Sequence, residues 1–175
     1  MMRWIGPLVA ACLAGFIGWY LTLAGTPQFI MGRAWERLGE QAGVNVMTHS
    51  PLVTAEKQTI VRPSPDLAYS VCAFDLTRGP LEVYANPVPG HYWSLTVFDS
   101  ETNVAFVESD RDSKGAAVDI VLATADQTVP GGVRRITMPS VKGVALLRVL
   151  LNGRADFDAV TQDRKQSYCR PLKQS

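Results

Sequence analysis

Charge is what this sequence has little of. Acidic and basic side chains make up 19% of its 175 residues and leave a formal net charge of +1. With no basic stripe, the chain carries no electrostatic footprint for nucleic acid. Histidine occurs twice and cysteine three times, with no Cys-x-x-Cys and no His-Glu-x-x-His, so no local motif assembles a zinc site. A Gly-x-Ser-x-Gly elbow, a phosphate loop and a dinucleotide fingerprint are also missing, which removes the common local signatures of hydrolases, nucleotide-binding enzymes and dehydrogenases. No repeat or low-complexity tract is present, so the chain is neither a solenoid nor a disordered segment. Asp110-Arg-Asp112-Ser-Lys114-Gly115 approaches a calcium loop and fails, because Lys114 takes a ligand position and Val121 stands where a bidentate Glu is needed. No cofactor is expected.

What the chain does have begins with a long uncharged run. Residues Trp4 to Ala24 contain no charge, about the length that crosses ~30 Å of hydrocarbon as a helix. Pro7 falls in the first turn, where a missing N–H costs little, and Trp4, Trp19 and Tyr20 suit the two interfaces. A cleaved signal peptide ending near Thr22-Leu23-Ala24 is the competing reading, but its apolar core is usually only ~7–15 residues long. An uncleaved, single-pass anchor is therefore expected, with residues 4–24 in the lipid bilayer. The positive-inside bias is weak: Arg3 lies before the span, and Arg33 and Arg37 after it stand beside Glu36 and Glu40. The short N-terminal tail favours a cytoplasmic N-terminus and a domain facing a periplasm-like space. Ala11/Gly15 and Ala14/Gly18 stand at small-xxx-small spacing, a pattern that anchor helices rich in Ala and Gly also show without any helix partner.

Beyond Thr26-Pro27, apolar residues at 30, 31, 34, 35, 38 and 42 fall at helical spacing, predicting an amphipathic helix that ends near Gly43 and Asn45. The expected organisation is an anchor at 1–26, a connecting helix at 27–45 and a β-rich domain at 46–175. Within that domain Val46 to Glu56 reads as a loop. Leu67 to Leu76 alternates, placing Tyr69, Val71, Ala73 and Asp75 on one face and Ala68, Ser70, Cys72, Phe74 and Leu76 on the other. Further strands are expected at 81–85, 91–99, 103–107, 118–123, 134–138 and 144–151, at hairpin-like spacing. This pattern argues for a mainly β, antiparallel sandwich or jelly-roll-like domain. Asp156 is positioned to cap a short C-terminal helix running to about Gln166. Cys72 and Cys169 form an even pair within the domain, open to two readings: a bridge across nearly a hundred residues, or two free thiols.

Three charges lie in strands of otherwise buried character: Asp75, Asp99 and Arg148. An unpaired ion there costs several kcal/mol, so each needs a partner or an open cavity. Either an Arg–Asp pair sets strand register, or Arg148 floors a polar pocket with the two aspartates. A second cluster joins Arg62, Asp66 and Tyr69: Asp66 would accept hydrogen bonds in the Pro63–Asp66 turn and Arg62 would pair with it or hold a ligand anion. His49 and His91, with Asp66 or Asp99, would be needed for a metal site. In unrelated loops they read as surface residues, and no metal is expected.

The run Val61-Arg-Pro-Ser-Pro-Asp-Leu-Ala-Tyr-Ser70, then Phe74-Asp-Leu-x-x-Gly-Pro80 and Tyr92-Trp-Ser-Leu-x-x-x-Asp99-x-x-x-Asn103, resembles an uncharacterised bacterial family. This is the domain-of-unknown-function family twelve-fifty-four, and the likeness extends over about 46 to 172. Longer members carry a second β domain, of the twelve-fourteen type. The resemblance therefore implies a short, anchored branch that works with a sister β-domain membrane protein. It implies no agreed activity. Its motif carries over Arg62, Asp66, Tyr69, Asp75, Asp99, Asn103 and Arg148 as candidate binding or structural positions. The expectation is a bacterial envelope protein that binds or assembles; the alternative is an enzyme or small-ligand binder using a cavity around Arg148, Asp75, Asp99 and Arg62.

Overall fold

The computed structural model describes residues 4–52 and 63–172. Arg62 lies outside them, so its expected pairing with Asp66 is not described. The segments expected as anchor and connecting helix run together as one helix, α1 (Ile5–Ala42), with Pro27 in its interior. A proline inside a helix costs about 3 kcal/mol. The segment beyond it is held by the sheet, where Met31, Trp35 and Leu38 pack against Val71, Val144, Phe98 and Leu146, a burial large enough to offset that cost. Gly43, at φ 87°, ends the helix and donates its N–H to Gly39 O. Asn45 then clasps Asp75: its amide donates to Asp75 O (2.9 Å) and its Oδ1 accepts from Asp75 N (2.8 Å).

Among the described residues nine strands follow: β1 (Thr48–His49), β2 (Leu67–Asp75), β3 (Leu81–Ala85), β4 (Trp93–Phe98), β5 (Val104–Ser109), β6 (Val118–Ala123), β7 (Arg135–Thr137), β8 (Lys142–Leu150) and β9 (Tyr168–Pro171). They form a five-stranded sheet, β1-β2-β8-β4-β5, and a four-stranded sheet, β7-β6-β3-β9. The fold is mainly β and sandwich-like, as expected. All pairings are antiparallel except β6 with β7. The hairpin-like spacing misleads in one respect. Strands β2 and β3, β3 and β4, β5 and β6, and β7 and β8 lie in opposite sheets, so these short connections cross the sandwich instead of closing hairpins.

Alternation in each strand fills the space between the sheets. Trp93, Leu95 and Val97 of β4, Ala145, Leu147 and Val149 of β8, and Cys72 and Phe74 of β2 meet Val83, Ile120 and Leu122 from the second sheet. Cys72 and Cys169 are joined as a disulfide between the two sheets, with Cα atoms 6.5 Å apart. Gly143 is required by packing: a Cβ there would lie 2.2 Å from Phe98 O and 2.5 Å from the Phe74 ring.

Two strands occupy segments expected to be irregular, β1 in the 46–56 loop and β9 in the C-terminal tail. Both are short edge strands, too brief to show a period of two, and only pairing with β2 and β3 defines them. The last helix also differs. A 3-10 turn (Arg154–Asp156) leads into α2 (Phe157–Arg164), and Asp156 makes no side-chain cap. Its carboxylate stands 3.6 Å from His91 Nε2 instead.

Candidate functional site

Register fixes where the polar residues go. On the outer face of the five-stranded sheet, successive rows read Asp75–Lys142, then Ala73–Val144–Phe98–Val104, then Val71–Leu146–Thr96–Val107, then Tyr69–Arg148–Ser94–Ser109. Helix α1 covers the apolar rows. The Tyr69–Arg148–Ser94–Ser109 row lies beyond it, and this is the polar half of the face. Here Arg148 donates from Nη2 to Thr96 Oγ1 (3.3 Å), while its Nε is buried with no partner among the described residues. Tyr69 accepts the Ser64 N–H at its hydroxyl (2.9 Å), tying the chain ahead of β2 to this face.

Neither the Arg–Asp pair nor the alternative Arg148–Asp75–Asp99 pocket forms. Asp75 and Arg148 stand opposite Lys142 and Tyr69 respectively, six residues apart along the strands, or about 20 Å. Asp75 lies 3.9 Å from Lys142 Nζ and accepts from the Thr77 N–H and hydroxyl. Burial pushes its carboxyl up, but the Thr77 hydrogen bonds and the Lys142 charge outweigh this and hold it below the usual carboxylate range. Asp99 is buried at the β4–β5 turn, where its oxygens accept from the N–H groups of Glu101 (2.8 Å) and Asn103 (2.9 Å) and from the Asn103 amide (3.0 Å). Three bonds satisfy this carboxylate locally, so it needs no arginine. Asp66 is exposed, and in its turn the Ser64 hydroxyl accepts the Asp66 N–H (3.4 Å); the expected Asp66 acceptor role passes to Ser64.

The histidines are set apart. His49 lies on edge strand β1 and meets Ser70 Oγ at 2.9 Å; His91 precedes β4 and meets Pro89 O at 3.1 Å. Strands β2 and β8 lie between β1 and β4, which puts the histidines about 14 Å apart or more. Among the described residues no group of three His, Cys, Asp or Glu gathers at metal-binding reach.

Two buried charges escaped the sequence reading: Glu108 of β5, paired with Arg134 at 2.5 Å, and Arg164. Arg164 of α2 is 1% exposed. Its guanidinium donates to Tyr69 O, to Ser50 O (2.6 Å) and to Ser70 Oγ (3.4 Å), and lies over the Phe157 ring. No carboxylate among the described residues bridges it, and burial lowers its pKa to about 10. The same enclosure holds His49 at about 4, through burial first and the charges of Arg164 and Lys165 next. Val160 and Arg164 are the buried residues of α2, at i,i+4 spacing. That spacing was the available signal.

The family model for a protein of unknown function, DUF1254, matches residues 44–171. The chain belongs to the DUF1254 family. No curated protein matches it. Among solved structures, the VPA0106 protein from Vibrio parahaemolyticus is similar at 18% identity over 83% of this chain, with a TM-score of 0.61. An uncharacterized protein from Burkholderia cenocepacia aligns at 13% identity over 76% of this chain, with a TM-score of 0.48. The chain spans 37% of the length of each of these proteins. The DUF1254 match begins just after α1 and takes in every described strand, so α1 stands wholly outside the matched region.

Proposed function

We propose that this chain is a single-pass membrane protein of the bacterial envelope, with a periplasm-facing DUF1254 domain that acts by binding and assembly. The partner would be a sister β-domain membrane protein. One observation carries the reading: a single helix joins a wholly exposed apolar run to a segment docked on the domain. Leu8, Leu13, Phe16, Ile17 and Leu21 are all more than half exposed, whereas Met31 is buried against the sheet. The α1 helix is long and apolar enough to cross a bilayer. It leaves the domain no flexible tether, which favours a role at a fixed height above the membrane. The disulfide agrees with an oxidising compartment. Dispersal of Asp75, Asp99 and Arg148 over separate stations removes support from the enzyme or small-ligand reading that needed them in one pocket.

Native mass spectrometry of the full chain, extracted from its own membranes in mild detergent, tests this. The expected species is a stoichiometric complex with a second β-domain membrane protein; repeated recovery of the chain alone would count against it. A narrower second reading, small-anion binding at the Tyr69–Arg148–Ser94 row, is favoured by the unpartnered Arg148 Nε. Calorimetry with inorganic phosphate on wild type and Arg148→Met tests that one: no heat from either protein removes it.

A further inference from the structure

The uncharged part of α1 is longer than a hydrocarbon core requires. No charged residue occurs from Trp4 to Gly32, and at 1.5 Å per residue this run is about 43 Å long. That matches the whole bilayer, headgroups included, at about 40–45 Å, rather than the ~30 Å of its core. Phe29 and Ile30, beyond Pro27, are still 66% and 56% exposed. The first charge, Arg33, folds back over the Phe29 ring at 5.5 Å, as cationic side chains do at an interface.

The domain grips α1 at this same level. Gln28 donates to Glu101 Oε1 (2.8 Å) at the tip of the β4–β5 hairpin. Ser100 N donates to Ser140 Oγ (3.0 Å), bringing the β7–β8 loop alongside. Together with Met31, Gly32 and Trp35, Ser100 and Lys142 line a cleft of about 390 Å³ between helix and sheet.

We infer that the domain is seated on the bilayer, with the Ser100–Asn103 tip and the Pro139–Val141 loop in the lipid headgroup layer. This rests on the membrane-spanning reading of α1 and adds the surface that meets the lipid. Gln28 is four residues past Ala24, about 6 Å along the axis, and its bond to Glu101 puts the hairpin tip at that height. The tip and loop offer hydroxyls, an amide and the Glu101 carboxylate held by Gln28, with Lys142 following the loop and Val141 half-exposed, a composition suited to headgroup hydrogen bonding. The seat also sets orientation. Height along α1 runs across the strands, from Glu101 at Gln28 to Phe74 O, which takes the Trp35 indole N–H (2.9 Å), and to Asp75, clasped by Asn45 beyond the helix end. Strands β2 and β1 therefore stand farthest from the bilayer, open to soluble or periplasmic partners.

The test uses the full chain in liposomes, with nitroxide quenchers on either lipid headgroups or acyl chains. Native Cys12, exposed and unpaired, takes a fluorophore as the marker of the span. In a Cys12→Ser background, Thr102→Cys marks the tip and Glu40→Cys, exposed on α1 twelve residues past Gln28 or about 18 Å along the axis, the far level. Thr102 already holds φ 68°, and cysteine is no worse there than a β-branched residue. Should that variant not reconstitute, Val141→Cys takes its place. The expected result is strong acyl-chain quenching at position 12 and headgroup quenching at 102 several-fold above that at 40. Quenching at 12 with equal, weak quenching at 102 and 40 overturns the seat alone. No acyl-chain quenching at 12 overturns the spanning reading, and the seat with it.

Discussion

Replacing Arg164 with methionine isolates the contribution of a buried cation that has no carboxylate partner. Methionine keeps most of the stem packed near Phe157 and removes the guanidinium. Ser50 O then loses its 2.6 Å donor, whereas Tyr69 O keeps the Ser50 N–H at 2.9 Å. Hydrogen bonds from a charged donor are worth about 1.5–3 kcal/mol each, and a carbonyl left unpaired costs about 1–3 kcal/mol. Against this, the substitution relieves the cost of keeping an uncompensated charge out of water, itself several kcal/mol. The balance is a loss of about 2 kcal/mol, or about 4–8 °C in apparent melting temperature for a chain of this size. The loss is local, because the lost contacts tie β1 and the Tyr69 end of β2 to α2. Urea unfolding of the detergent-solubilised chain by near-ultraviolet circular dichroism measures the total, and hydrogen exchange at the His49 and Ser50 amides measures the local part. Arg164→Lys should fall between the two, since a point charge on a flexible stem cannot fork to both carbonyls. A loss below about 0.5 kcal/mol, with exchange at β1 unchanged, would refute the clasp. Such small surface-like effects are what substitutions away from buried contacts produce.

The remaining predictions concern titration, packing and coupling. His49 has its folded pKa lowered from 6.5 to about 4, so the unfolded chain binds the extra proton first. Its contribution is therefore intact above pH 6.5 and is lost as pH falls toward 4, by about 1–2 kcal/mol after screening at this half-exposed site; melting curves at pH 7.0 and 4.5 should differ less in His49→Asn. Gly143→Ala drives a methyl into Phe98 O and the Phe74 ring and should cost at least about 1–3 kcal/mol, read as a lower denaturation midpoint with unchanged slope. Asp75→Asn and Arg148→Met should add within about 0.5 kcal/mol in a double-mutant cycle, because residues that far apart share no partner. Coupling above about 1 kcal/mol would restore the shared pocket.

How much of this was legible in the chain differs by element. The faces of β2 and the bounds of β3 follow from alternation, and those of β6 from a short apolar run, all local properties. The apolar length of α1 and the Gly43 stop are equally local. What alternation cannot state is which sheet a strand joins, so Asp75 and Arg148 were placed together when register puts them at different rows. Edge strands β1 and β9 carry too few residues to display a period, and exist because β2 and β3 offer them a free edge. Arg164 was hidden for a related reason. On a short polar helix its charge reads as solvated, and only the docking of α2 over Ser50 and Tyr69 encloses it.

By itself the sequence determined the uncharged run, the β class and the family, because these depend on composition, period and motif along the chain. The tertiary structure alone decided which charges meet, since partners such as Lys142 for Asp75, Glu101 for Gln28 and Ser50 for Arg164 are distant in sequence. It also decided that Pro27 interrupts nothing. A proline is a helix breaker only while no packing beyond it offsets the lost bond, and here the sheet supplies that packing through Met31, Trp35 and Leu38.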